Sequence, residues 1–440
     1  MLRRVSVLIA LLVSLAVLPV AKTGAQTGAA KPPKTGFERS GGEQWTSFEE
    51  EQGFLAAVDA GSGRMSYEVV GRSLQERPLH LVTLGEPAPA SRAEILDRPT
   101  ILFVCSQHGN EPAGREACLQ MLRDLAYTDD NALGSQLGTT SVLFVPTANP
   151  DGIEANTRGN ADGVDINRDH MGLETPEAQA IARVVRDYKP DVILDLHEYG
   201  PSVPVLYDDE ILYLWPRNLN VDPQVHSLAK TLAADYIGEG VERAGYSSDE
   251  YGLYAAGDQD VAQTAGDGDE GIARNAFGLR HAIGVLIESA VTQDPKNGPG
   301  EILSQSETNS RRVASQVQAS LEALRFMREQ GDLVKLATDR APLRKAREGE
   351  QRSAPVYFGG ADNEEPPEDQ VVDPPPCGYR LGAKQLAQVR DALALHEIDV
   401  EARGRRAYVA LGQAAEPVIP LLLDERGQRH VVAGRPDNRC

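Results

Sequence analysis

Basic residues are in short supply in this 440-residue chain, where 44 Lys and Arg face 65 Asp and Glu for a net charge of −21. That balance offers no large cationic field to hold phosphate backbones or anionic lipid, so nucleic acid is not an expected partner. The four cysteines form no C-x-x-C pair, which leaves no sulfur-ligated metal site. No Gly-x-Ser-x-Gly elbow occurs, which argues against a serine hydrolase. No internal repeat is found, and no stretch fits an EF-hand template, so the Gly- and Asp-rich run from Gly257 to Gly271 reads as an acidic loop rather than a calcium site. Long hydrophobic runs are missing too, save one.

That one lies at the start. Met1 to Arg4 carry two positive charges, an apolar stretch runs from Val5 to Ala21, and small residues follow at Thr23-Gly24-Ala25. This is the layout of a secretory signal peptide cleaved after Ala25, and no cysteine stands there to take a lipid. The expected product is exported, periplasmic or extracellular, with no stable membrane insertion after cleavage. Losing residues 1–25, with Arg3, Arg4 and Lys22, takes the net charge from −21 to −24. In an exported chain a Cys377–Cys440 disulfide is expected to staple the C-terminal segment, whereas Cys105 and Cys118 read as small buried apolar residues.

What the chain has in quantity is core-forming residues, 41% hydrophobic with 25% charged. Residues 26–44 read as a flexible leader, and a capping box at Ser47 and Glu50 opens the folded part. Two β-rich runs, Met65 to Val70 and Leu79 to Val82, precede four short continuous apolar runs: Ile101 to Cys105, Val142 to Val145, Val192 to Leu196 and Ile283 to Ile287. Runs of that kind are strands covered on both faces. Helical stripes lie between them, at Ala113, Ala117, Met121 and Leu125, at Ile181, Val184, Val185 and Tyr188, and at Val313, Val317, Leu321 and Leu324. The expectation is an α/β domain over 45–346, a mixed, mostly parallel sheet with helices on both faces. An acidic, Pro-rich linker over 347–376 and a small C-terminal α+β domain over 377–440 follow, the latter with a helix around Leu386 to Leu393 and strands at Tyr408 to Leu411 and Val418 to Leu423.

Only eight histidines are present, and His108 has a carboxylate three residues on, in His108-Gly109-Asn110-Glu111. The pair follows a buried strand directly, and Pro112 suits the first turn of a helix, so both side chains sit at the edge of the sheet. His197 closes another apolar run, and three protein ligands with one open position is the catalytic zinc arrangement. Glu288 closes the fourth run, where a carboxylate is costly unless it is paired or functional. Asn149-Pro150-Asp151-Gly152, Arg158 and Gly163-Val164-Asp165-Ile166-Asn167-Arg168 crowd a turn-rich stretch. A guanidinium fork there is suited to a carboxylate or a developing oxyanion. His396, at a helix end with Asp399 three residues on, reads as surface.

Taken in order, these motifs together with Asp195-Leu196-His197 and Ile287-Glu288 resemble the zinc carboxypeptidase family of the carboxypeptidase A type, over roughly residues 45 to 330. Gly71 to Pro78 is similar to that family's early hairpin. The resemblance implies one Zn²⁺ ion held by His108, Glu111 and His197, with Asp165 orienting His108 from behind. It implies hydrolysis of the C-terminal peptide bond of peptides or proteins by a zinc-activated water, with Glu288 as general base and Arg158 stabilising the oxyanion. Asn167 and Arg168 would hold the substrate's terminal carboxylate. The chain departs from the family at Asp169-His170, where Asn or Asp and then an aromatic is usual, and no tyrosine lies between Tyr254 and Glu288. Tyr251 and Tyr254 are the nearest phenols upstream. Two other readings share the same site: an amidohydrolase or deacylase of cell-wall peptides or N-acyl amino acids, and a non-catalytic zinc-binding protein.

Overall fold

The short apolar runs become the middle of one sheet. The computed structural model describes residues 31–200, 209–252, 268–292, 303–404 and 406–440. The expected signal peptide, Tyr254 and most of the acidic 257–271 run lie outside them. Among the described residues this sheet has eight strands, β1 (Met65–Arg72), β2 (Pro78–Leu84), β3 (Thr100–Cys105), β4 (Ser141–Val145), β5 (Val192–Tyr199), β6 (Ile211–Leu214), β7 (Ser248–Glu250) and β8 (Ile283–Ala290). They lie in the order β1-β2-β4-β3-β5-β8-β6-β7. The centre is parallel, with β3 between β4 and β5 and β5 next to β8, while β1, β2 and β6 join antiparallel. This is the mixed α/β sheet expected.

Both faces of the sheet are covered, which is why its strands read as unbroken apolar runs. One face packs Ile101, Phe103, Val192, Leu194 and Leu196 against Cys118, Leu119 and Leu122 of the helix Pro112–Ala126 and against the long helix Gln305–Gln351. The other packs Leu102, Val104 and Ile193 against Ile181 and Val184 of the helix Pro176–Tyr188 and Phe277 of the helix Ala273–Leu279. Side chains alternate along a strand, so in β5 Asp195 and His197 fall on the same side as Ile193. Among the described residues no helix is long and apolar enough to cross a membrane.

Several expectations are corrected. Val418–Leu423 is a buried helix and not a strand; Pro420 has no N–H to give a ladder, and a continuous apolar run fits either state. Within the segment read as a leader, Gly36–Ser40 is helical, with a Thr35/Glu38 capping box and Phe37 stacked on Trp45 at 4.8 Å. Cys105 and Cys118 are joined in a disulfide, as are Cys377 and Cys440. The long helix runs to Gln351, past the start of the expected linker, and the remainder of that linker holds a small hairpin of β9 (Val356–Tyr357) and β10 (Val371–Val372). A four-stranded sheet follows, β11 (Gly378–Leu381), β12 (Glu401–Arg403), β13 (Arg406–Ala410) and β14 (Arg435–Asp437), in the order β12-β13-β11-β14. Its Tyr379, Leu381 and Val409 join the same apolar cluster as the main sheet, and residues 32–440 form one compact unit.

His396 is also not at the surface: it is 4% exposed, and its Nε2 meets the carbonyl of Met171 at 2.9 Å. Burial, with Arg280 adding to it, pushes the ring down to about 3, and burial pushes His170 down to about 4. Both rings are neutral in the folded protein but titrate near 6.5 when unfolded. Their stability contribution is therefore present above pH 6.5 and is lost as pH falls towards 4 and 3. The thermal midpoint is expected to fall below pH 6.5, and less steeply in His396→Gln; equal slopes in scanning calorimetry would show that this ring is not part of the acid sensitivity.

Candidate active site

The first two ligands of the candidate centre come from the turn that leaves β3. Ser106 adopts φ +59°, which swings the chain out of the strand before Gln107 and His108, and Pro112 starts the next helix with Glu111 as its cap. The Cys105–Cys118 disulfide bridges the two ends of this turn, so both His108 and Glu111 lie inside a covalently closed loop. Gly109 lets the loop press onto its neighbour: a Cβ there would lie 1.9 Å from the carbonyl carbon of Gly152. Asn149 caps that neighbouring turn through Gly152 N at 2.9 Å and donates to the carbonyl of Gln107 at 3.0 Å. Asp151 accepts from Ser73, Gln75 N and Arg77 at 2.7, 3.0 and 2.6 Å, which docks the β1–β2 hairpin. The Asn-Pro-Asp-Gly sequence thus builds the scaffold of the site.

His197 enters from β5, the parallel neighbour of β3. His108 Nδ1 lies 2.8 Å from Glu111 Oε1, His197 Nδ1 lies 2.8 Å from Glu111 Oε2, and the two Nδ1 atoms are 3.0 Å apart. The far ring nitrogens are each held by a carboxylate, His108 Nε2 by Asp165 at 3.0 Å and His197 Nε2 by Asp195 at 2.8 Å. All three residues are buried, and their donor atoms lie within 4.8 Å of one another. Two imidazole nitrogens and a carboxylate turned towards one point, with acids fixing both rings from behind, match a zinc donor set. Burial alone would raise the Glu111 carboxyl, but hydrogen bonds from His108 and His197 outweigh it and hold it down to about 2. Burial would likewise lower His197, yet Asp195 and Glu111 raise it well above its ordinary value. Three carboxylates, Glu111, Asp165 and Asp195, thus surround the two rings.

Residues 53–268 match the family described as zinc carboxypeptidase. That match places residues 53–268 in the zinc carboxypeptidase family. Among curated proteins it is 32% identical to carboxypeptidase 2 of Trichophyton tonsurans over 190 residues, which is 41% of this chain and 35% of that protein. It is 28% identical to carboxypeptidase 2 of Trichophyton rubrum over 246 residues, 54% of this chain and 46% of that one. The chain thus spans less than half the length of these relatives. Among solved structures, a metallo-carboxypeptidase from Burkholderia cenocepacia is similar at 21% identity and a TM-score of 0.48, covering 64% of this chain and 70% of that chain.

Beyond the matched residues, Glu288 pairs in register with His197 across β5 and β8, so both side chains emerge at the same strand edge. Its Oε2 has no hydrogen-bond partner among the described residues. Burial pushes the carboxyl up to about 8, with Glu111 and Asp195 adding to the rise and His197 and Arg158 opposing it. A dication alongside would favour the ionised form. Arg158 is tied to Asp165 through Nε at 3.0 Å and Nη2 at 2.9 Å, and its Nη1 reaches within 3.2 Å of His108 Nδ1. Arg168 is half-buried beside it and donates to the carbonyl of Asn167 at 2.7 Å. Asn167 is buried; its Nδ2 is 3.1 Å from His197 Nε2 and its Oδ1 accepts Ala273 N at 2.8 Å. Tyr251 is a half-buried phenol raised by desolvation and by the charge of Glu288, with Arg274, Arg168 and Arg158 opposing.

Five residues of this environment carried no role in the sequence reading. Asp195 fixes His197, Gln107 Nε2 donates to Asp195 at 2.7 Å, and His170 Nε2 lies 2.7 Å from Gln107 Oε1. On the opposite face Glu198 accepts Ala113 N at 2.8 Å and Arg312 Nε at 2.7 Å, while its own N–H donates to Glu111 at 3.1 Å. The signal for Asp195 was present: two polar residues two apart in an apolar strand share a side. Gln107, His170 and Arg312 come from separate elements, and their meeting depends on the packing.

Proposed function

We propose that this protein is a zinc-dependent carboxypeptidase that removes the C-terminal residue of peptides or proteins. The observation that carries the reading is the convergence of His108, Glu111 and His197 on one point with Glu288 one strand away. His108, Glu111 and His197 would hold one Zn²⁺ ion, which would supply Lewis acidity for the scissile carbonyl and the attacking water. The chain's own groups do the rest. Glu288, whose Oε2 is uncommitted, takes the proton of the attacking water and later passes it to the leaving amine. Arg158, tethered by Asp165, faces the negative charge that develops on the carbonyl oxygen. Arg168 takes the terminal carboxylate of the substrate, and Asn167, bound on both sides of its amide, forms the fixed wall beside it.

Export fits this reading, since two disulfides among the described residues suit an oxidising compartment, periplasmic or extracellular. Residues 377–440 then serve as an accessory segment to the catalytic part. The deciding experiment offers zinc-loaded protein peptide pairs that differ only in a free or amidated C-terminus, with products followed by mass spectrometry. Stepwise loss of single residues from the free-acid peptides alone is expected. Equal cleavage of both members would remove the carboxylate clamp and favour the amidohydrolase; cleavage of neither would favour the zinc-binding protein.

A further inference from the structure

The C-terminal segment reaches into the wall of the site at one point. Arg429 makes a two-pronged ion pair with Asp269, Nη2 to Oδ2 at 2.5 Å and Nε to Oδ1 at 3.0 Å, and its backbone N–H donates to Glu270 Oε1 at 2.8 Å. The Asp269 side chain is 4% exposed, against 34% for Arg429. Asp269 organises the turn ahead of the helix Ala273–Leu279: its Oδ1 accepts Gly271 N at 2.8 Å, and its carbonyl accepts Ile272 N at 3.2 Å and Asn275 Nδ2 at 3.0 Å.

That turn is in direct contact with the substrate-binding pair. The carbonyl of Gly271 accepts His170 N at 3.2 Å, and Ala273 N donates to Asn167 Oδ1 at 2.8 Å. Gly271 sits between the two partners, for a Cβ there would lie 2.6 Å from the carbonyl of Arg168 and 3.1 Å from Arg429 Cγ. A second tie, His396 to the carbonyl of Met171 at 2.9 Å, holds the far end of the same loop. A chain of direct contacts therefore runs from Arg429 through the 269–273 turn to Asn167 and Arg168.

We infer that Arg429 is a positioning residue for substrate binding, and that the C-terminal segment acts as a brace for the Asn167–Arg168 loop. The physical reason is the buried charge of Asp269. Without the guanidinium its carboxylate must be rehydrated, and the turn that carries it moves outwards to meet water. The donors and acceptors it lends to His170 and Asn167 move with it. The zinc donors stand on the turn after β3 and on β5 and meet the 269–273 turn only through intermediates, Asn167 and His170, so the effect falls first on substrate affinity.

The test compares the parent protein, Arg429→Gln and Arg429→Lys by amide hydrogen exchange, zinc content and peptide kinetics. In Arg429→Gln the amides of 168–173 are expected to exchange faster while those of 107–111 do not. KM for a free-acid peptide is expected to rise about tenfold with kcat within about twofold, the pattern of lost binding that is uniform along the reaction. Arg429→Lys, which keeps a cation, restores most of the protection and of KM. Unchanged exchange in Arg429→Gln overturns the brace, as does a joint fall of thermal midpoint, zinc content and kcat, which marks simple fold support. The kinetic arm rests on the carboxypeptidase reading and the exchange arm does not: a parent that hydrolyses no peptide sinks that reading and leaves the brace to be decided by exchange.

Discussion

Glu288→Gln is expected to lower kcat by about 10³-fold and to leave zinc content and KM close to those of the parent. Glutamine keeps the size and the hydrogen-bonding oxygen of the side chain but takes no proton at neutral pH. The expectation rests on where this carboxyl stands. It is level with His197 across two parallel strands, turned to the same edge, with one oxygen unpartnered, in a position whose burial raises it to about 8 before any cation is present. A half-buried carboxyl with one buried, unpartnered oxygen destabilises a fold, so its presence at this edge calls for a functional reason. Single-turnover kinetics on a free-acid peptide, with metal analysis of the same sample, give the answer. A variant that keeps a tenth or more of the parent rate would show that another group carries the proton.

His197→Ala is the second change of large effect, and here the loss is in the metal. Substitutions of residues that only orient a ligand commonly cost 10–100-fold in affinity, so removing a ligand outright is expected to weaken zinc binding by about 100-fold or more. Three contacts go at once: the Nδ1 that meets Glu111, the Nε2 that holds Asp195, and the approach of Asn167. Asp195, fully buried, is left with Gln107 and Asn167 in place of a ring. Titration with buffered zinc measures the affinity, and the thermal midpoint with and without the metal reports how much of the stabilisation survives. Zinc affinity within tenfold of the parent would mean that His108, Glu111 and His197 are not the centre.

The parts of this structure that could be read from the chain are those set by local rules. Continuous apolar runs marked the buried parallel strands, and the His108, Glu111, His197 and Glu288 positions stood out because each follows or ends such a run. What could not be read came from three sources. Val418–Leu423 is apolar throughout, and apolarity without a period does not distinguish a strand from a buried helix. The pairing of Cys105 with Cys118 depends on how the helix after β3 folds back over that strand, a tertiary fact. His396 read as surface because it stands at a helix end with Asp399 three residues on, while the Met171 carbonyl that it meets lies 225 positions away in the chain. The same holds for Arg429 and Asp269, whose encounter no motif announces.

The sidedness of β5 sets a rule for how this chain can change. Asp195 and His197 stand on one side of the strand and Leu194 and Leu196 on the other, each packed into its own layer. Loss or gain of one residue between Val192 and His197 would exchange the two sets, sending both leucines to the ligand side and the polar pair into the apolar layer. A change of two residues preserves the sides and only shifts the ligand along the edge. The candidate site on this strand is thus guarded by parity: its length can drift in even steps, and an odd step takes His197 out of the donor cluster and disturbs the core at the same time.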